Sequence, residues 1–127
     1  MNFHFDQSGP LYQQLADQLE EMIFTGLYGE GEQVPSTTQL SQELHINPAT
    51  VLKGMNQLVN RQLLVKKRGL GMFVADGAQE RIMETRKEDF YHDYVQSLVA
   101  EARKLNINEE HLMTLIKRGY SHGNTEG

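Results

Sequence analysis

Residues 34–74 read VPSTTQLSQELHINPATVLKGMNQLVNRQLLVKKRGLGMFV, and the rest of the chain is arranged around them. Ser36 precedes TTQLSQEL with Gln39 three residues on, the spacing of a capping box, so a helix is expected to begin near Thr37. Asn47 followed by Pro48 repeats the signal. Asn caps well, and Pro fits the first helical position, where its missing N–H costs nothing. Only His45 and Ile46 separate Leu44 from that second cap, so the two helices must cross steeply, as in a helix-turn-helix. Leu40, Leu44, Val51, Met55 and Leu58 are expected to fill the angle between them.

Beyond the second helix, LLVKK and MFVA are short apolar and β-branched runs, and RGLG between them supplies the glycines of a hairpin turn. This is a wing. From Leu44 through Ala75 there is no Asp or Glu, whereas Lys53, Arg61, Lys66, Lys67 and Arg68 all fall inside, a local charge of +5 in a chain of net −5. Such segregation suits contact with a polyanion.

The order PLYQQLADQLEEMI, then G-x-x-x-x-G-E-Q-V-P-S, then INPATV, then KKRGLGMFV resembles the GntR family of bacterial transcription regulators over residues 8 to 76. The N-P-x-T-V form and the short tail resemble its YtrA-like short branch. The resemblance implies a winged helix-turn-helix that binds an inverted-repeat operator in double-stranded DNA as a homodimer. It also implies repression, and a neighbouring transporter operon as the target. GntR relatives carry Arg at the fourth position of P-S-x-R, where this chain has Thr38, and often Arg at the positions of Pro48 and Leu52, so base contacts here are expected to be fewer. The same relatives have Gly near the end of the recognition helix, where this chain has Gln62. A non-Gly residue at positive φ costs about 1 kcal/mol. Either Asn60 takes that conformation or the turn differs.

With 127 residues the chain has room for one ordinary domain, or a small one with an appendage. The 53 residues after Val74 are too few for the large effector domains of other GntR branches. The absence of Cys, of any membrane-length apolar run and of a charged-then-apolar leader leads us to expect a soluble cytoplasmic protein that does not engage a membrane. The acidic balance, 12 Lys+Arg against 17 Asp+Glu with a pI near 5.5, is unusual for a nucleic-acid binder. Its distribution answers the objection. Acids gather in the first helix (Asp17, Glu20, Glu21) and in the tail (Glu80, Glu84, Glu88, Asp89, Asp93), away from the basic segment.

Upstream, Phe3 and Phe5 alternate with polar residues, a pattern of a short edge strand or a frayed terminus. Pro10 opens a helix whose Leu11, Leu15, Leu19, Met22 and Ile23 form one apolar stripe for the core, and Gly26 ends it. The loop from Leu27 to Val34 reads as a turn. Downstream, Tyr91, Val95, Leu98, Ala102 and Leu105 alternate spacings of four and three, a heptad-type seam expected to pair with a second subunit. Asn106 or Asn108 caps a last helix through Arg118, stopped by Gly119. The fold is therefore read as mainly α with a small β wing: a winged helix-turn-helix domain over 1–77, a helical dimerisation segment over 78–119 and a disordered tail over 120–127.

No catalytic constellation, metal site or cofactor motif emerges. Neither G-x-x-x-x-G-K-[ST] nor a strand-to-helix glycine fingerprint occurs, and His4, His45, His92, His111 and His122 lack ligand spacing and read as surface residues. The second helix, Pro48 to about Asn60, is expected in the major groove, presenting Asn47, Pro48, Ala49, Thr50 and Lys53. By the resemblance, Ser36 and Thr38 face the backbone, Arg68 and Gly69 enter the minor groove, and Lys66 and Lys67 meet phosphates. A winged-helix module that binds protein partners only is the alternative. It has no reason to clear every carboxylate from Leu44 to Ala75. No effector ligand is legible.

Overall fold

The fold was obtained as a computed structural model and describes residues 2–123. In chain order it comprises α1 (Leu11–Phe24), α2 (Thr37–Leu44), α3 (Pro48–Asn60), β1 (Leu64–Lys67), β2 (Gly71–Val74), α4 (Ala78–Phe90), a π-helical turn (Tyr91–Val95), α5 (Gln96–Lys104) and α6 (Glu109–Gly123).

Each helix of the central stretch starts where its cap lies. Ser36 Oγ accepts from the Gln39 N–H at 3.0 Å while Gln39 Oε1 accepts from the Ser36 N–H at 2.9 Å, a complete capping box. Asn47 Oδ1 accepts from the Ala49 N–H at 2.8 Å, with Pro48 at the first helical position. Between the helices His45 turns left-handed, φ 56°, and the Ser41 hydroxyl donates to Ile46 O at 2.6 Å. Leu40, Val51, Met55 and Leu58 are buried in the angle, and Leu44 is partly so. α1 lies across α3 with Leu15, Ala16, Leu19 and Ile23 in the same core.

β1 and β2 pair antiparallel, with Leu64 opposite Val74 and Lys67 opposite Gly71. The loop read as a turn does more than reverse the chain. Its end forms a bridge onto β2 at Gln33–Phe73, extended by Val34 N–H to Met72 O, Val74 N–H to Glu32 O and Gly31 N–H to Val74 O. The Gln33 side chain also donates to Leu70 O at 2.6 Å, tying the loop to the wing tip.

The N-terminal segment is neither of the two states expected for it. No strand forms, yet Gln18 brackets the backbone of His4, donating to its carbonyl (2.7 Å) and accepting from its N–H (2.9 Å). Gln14, one helical turn earlier, does the same to Asp6. Phe3 and Phe5 thereby pack on the core. Hydrogen bonds from the Ser8 hydroxyl and N–H hold the Asp6 carboxyl below its ordinary value.

α3 ends in a Schellman motif, with Leu63 N–H bonded to Leu58 O and Gln62 N–H to Val59 O. Gln62 itself takes the left-handed conformation, φ 64°, and Asn60 remains helical. The two carbonyl bonds hold it there, and Arg81 Nη1 donates to the Gln62 carbonyl at 2.8 Å. Gln62→Gly is expected to raise stability by about 0.5–1 kcal/mol, because relief of the backbone strain outweighs the entropy that glycine adds to the unfolded chain. An unchanged midpoint in thermal melts would mean that the strain is already relieved.

The chain divides into two compact units, Met1–Thr85 and Arg86–Gly127. The boundary expected at 77/78 thus falls later, inside α4, because Ala78 and Ile82 are buried in the core of the first unit. In the second unit, Asn106 closes α5 in the left-handed conformation, φ 57°, and Asn108 Oδ1 caps α6 through the His111 N–H. The stop expected at Gly119 does not occur. Gly119 takes no positive φ, and α6 runs on to Gly123, at a glycine cost of about 1 kcal/mol relative to Ala. The tail expected over 120–127 is therefore helical as far as 123, and its last four residues lie outside those described.

Candidate nucleic-acid interface

Burying Val51, Gly54, Met55 and Leu58 turns the opposite side of α3 outward. That side exposes Pro48, Ala49, Leu52, Lys53, Asn56 and Asn60, with Asn47 at its start and Thr50 half-covered. No carboxylate lies on α3. Ser36 and Asn47 spend one side-chain acceptor each on their caps, which leaves the Ser36 hydroxyl proton and the Asn47 NH2 group for an outside acceptor. Thr38 is exposed in the first turn of α2.

The five cations of the acid-free segment do not act as one group. Arg61 turns toward α1, where Nη1 lies 2.8 Å from Glu20 Oε1 and 3.7 Å from Asp17 Oδ1. It belongs to the scaffold. Lys53, Lys66, Lys67 and Arg68 are all exposed, and among the described residues none is in an ion pair. Strand alternation separates the two wing lysines. Lys66 shares the face of buried Leu64 and Met72, whereas Lys67 shares that of Val65 and Phe73, so the two lysines point two ways. Arg68 and Gly69 form the tip, where Gly69 takes φ 77° with open space around it.

Asn56 and Asn60 escaped the sequence reading, although each recurs at three or four residues along the face that starts at Ala49 and Lys53. An Asn amide matches the edge of adenine in the major groove. Gln33, which anchors the wing tip across 37 residues of chain, left no local signal at all.

The seam of the second unit is also rearranged. Tyr91 and Val95 lie in the π-helical turn, whose extra residue rotates what precedes it by about 100° relative to Leu98. Phe90 and Tyr94, four residues apart, adjoin with ring centroids 5.6 Å apart. Ala102, expected at an interface, is buried to 5 % exposure within its own unit. Together with Leu98, Leu105, Ile107, Leu112, Leu115 and Ile116 it lines an apolar groove of about 230 Å³.

Among the described residues no group of His, Asp and Glu side chains is placed to hold a metal ion, and no helix is long and apolar enough to cross a membrane. The His92 ring lies 3.3 Å from Gln96 Oε1.

Residues 11–74 match the family model described as bacterial regulatory proteins, gntR family. The chain is 26% identical over 110 residues to the HTH-type transcriptional repressor YtrA of Bacillus subtilis, spanning 87% of this chain and 84% of that protein. Among solved structures, a GntR family transcriptional regulator from Listeria monocytogenes aligns with TM-score 0.67 at 27% identity, over 90% of this chain and 98% of that one. The DNA-binding domain of AraR in complex with operator ORE1 aligns with TM-score 0.52 at 25% identity, over 59% of this chain and 94% of that one.

Proposed function

Because the chain belongs to the gntR family of bacterial regulatory proteins, it is a DNA-binding transcription regulator and not an enzyme, and we propose that it acts as a homodimeric repressor on an inverted-repeat operator. α3 lies in the major groove, with Asn47, Pro48, Ala49, Thr50 and Lys53 at base edges and phosphates. The wing enters the minor groove through Arg68 and Gly69, with Lys67 and Lys66 on flanking phosphates. Ser36 and Thr38 face the backbone. One observation carries this reading: among the described residues, four exposed cations stand with no carboxylate partner on and beside a helix that is free of acids. The repressor name of the similar YtrA supports the direction of control, and the operator-bound AraR domain supports the target. A neighbouring transporter operon is the expected regulated locus.

Titration of a labelled random-sequence duplex at low and high salt tests the contact. Four neutralised phosphates correspond to a slope of log K against log salt near −3.6, at about 0.9 per charge. A slope near zero, or no binding at all, would favour the protein-only alternative. Selection and sequencing of bound DNA then tests for an inverted repeat.

Thr38→Arg is expected to tighten operator binding by about 1 kcal/mol, the net worth of one hydrogen bond. If the new guanidinium reaches a phosphate, the salt slope steepens by about 0.9. Tighter binding at constant slope would indicate a base contact instead. Unchanged or weaker binding would show that α2 docks otherwise than in relatives.

A further inference from the structure

Two of the exposed lysines rest on aromatic rings. Lys53 Nζ lies 4.1 Å from the centroid of the Tyr12 ring in α1, and Lys67 Nζ lies 4.5 Å from that of Phe73 in β2. A glycine makes each approach possible. Gly54, next to Lys53, is buried, and a Cβ there would sit 2.8 Å from the Tyr12 carbonyl oxygen, so α1 and α3 meet almost backbone to backbone beside the ring. In the wing Lys67 stands opposite Gly71, which has no side chain, and the diagonal neighbour on that face is Phe73.

We propose that Tyr12 and Phe73 are positioning residues that hold Lys53 and Lys67 ready for DNA phosphates without neutralising them. The proposal rests on the DNA-binding reading above. A lysine paired with a carboxylate must surrender that partner, or share it, before a phosphate gains full attraction. A ring attracts the ammonium through its quadrupole and carries no net charge, so the field of the cation toward the duplex is undiminished. The ring also restricts the four-carbon stem before binding. Rotamer freedom that a solvated lysine would lose on meeting a phosphate is then already lost. The acid-free composition and the ring contacts have the same effect, since both leave these two charges available.

The test uses the full chain and a labelled random-sequence duplex, with affinity measured across a salt series. Tyr12→Leu is expected to weaken binding about two- to fivefold, as befits a cation–π contact at an exposed site, and Tyr12→Phe is expected to match the parent. In a Lys53→Met background, Tyr12→Leu should change nothing further, because the lysine it positions is gone. Phe73→Leu, read against Lys67→Met, gives the same test in the wing and stands if Tyr12→Leu proves unstable. If the parent binds with salt dependence but the leucine variants bind equally well, the rings have no positioning role and the DNA-binding reading survives. An equal loss in Tyr12→Phe would assign the effect to the hydroxyl and overturn the proposal. A loss from Tyr12→Leu that persists in the Lys53→Met background would assign it to the fold and overturn the proposal as well. Absence of binding by the parent overturns both readings together.

Discussion

Replacing Gly54 with valine is expected to destabilise the N-terminal unit by about 3 kcal/mol, the upper range for overpacking a close-packed core. α3 buries Val51, Gly54, Met55 and Leu58, and Gly54 lies directly against α1. A Cβ built there meets the Tyr12 carbonyl oxygen at 2.8 Å and Leu15 Cδ2 at 3.2 Å. The first of these atoms is helix backbone and cannot swing aside, so the helices must separate or tilt. Two γ-methyls enlarge the demand. Gly54 takes no positive φ, so the requirement for glycine here is spatial. An alanine should gain close to 1 kcal/mol of helix propensity yet still lose on balance. For a unit of this size the valine penalty corresponds to a fall in Tm of roughly 12–24 °C. DNA affinity should fall too, since Leu52, Lys53 and Asn56 all ride on the displaced helix. A midpoint within a few degrees of the parent would mean that the crossing is loose, and would remove the reason given for the position of Lys53 over Tyr12.

What the sequence made legible divides by the range of the interactions involved. The capping box of Ser36 with Gln39, and the Asn47–Pro48 start of α3, join residues at most three apart, so their types and spacing are visible in one short window. The wing hairpin is nearly as local, with Lys67 and Gly71 closing it around one turn. Contacts across longer stretches left no such trace. Gln33 reaches Leu70, Gln18 brackets His4, and Arg61 spends its charge on Glu20, 41 residues away. Counting cations along the chain therefore gave +5 where only four are exposed without an acid partner. The π-helical turn failed to show for a different reason. Periodicity assumes a constant twist, and one extra residue in a turn changes which residues share a face while leaving the composition untouched. Gln62 departs from the rule that favours glycine because the Schellman hydrogen bonds and Arg81 together exceed a strain of only about 1 kcal/mol.

Leu98→Asp is expected to convert the proposed homodimer to monomers and to reduce binding of a full inverted repeat to that of a half-site. Within the second unit α5 and α6 satisfy only part of their apolar surface. Ala102 is buried, whereas Leu98 and Leu105 remain 44 % and 61 % exposed at the rim of the groove they share with Leu112 and Ile116. Full burial of one leucine is worth about 1.5–3 kcal/mol, so covering the half of each that is still exposed contributes about 1 kcal/mol apiece, and neighbouring apolar surface must join them to hold a dimer. A carboxylate at position 98 reverses this. Near a two-fold axis like residues face each other, so a carboxylate there would lose hydration and meet its own copy. The π-helical turn sharpens the expectation for the residues before it. Tyr94, 66 % exposed and adjoining Phe90, continues toward Leu98 at a spacing of four, whereas Tyr91 is turned away by the extra residue. Tyr94→Asp should therefore dissociate the dimer and Tyr91→Asp should not. Sedimentation velocity at several protein concentrations reads both comparisons. A Leu98→Asp variant that still sediments as the parent does, and still binds a full repeat normally, would place the subunit interface elsewhere on the chain. Dissociation by Tyr91→Asp with Tyr94→Asp unaffected would instead restore the unbroken heptad, and would mean that the turn at Tyr91–Val95 winds as an ordinary α-helix in the dimer.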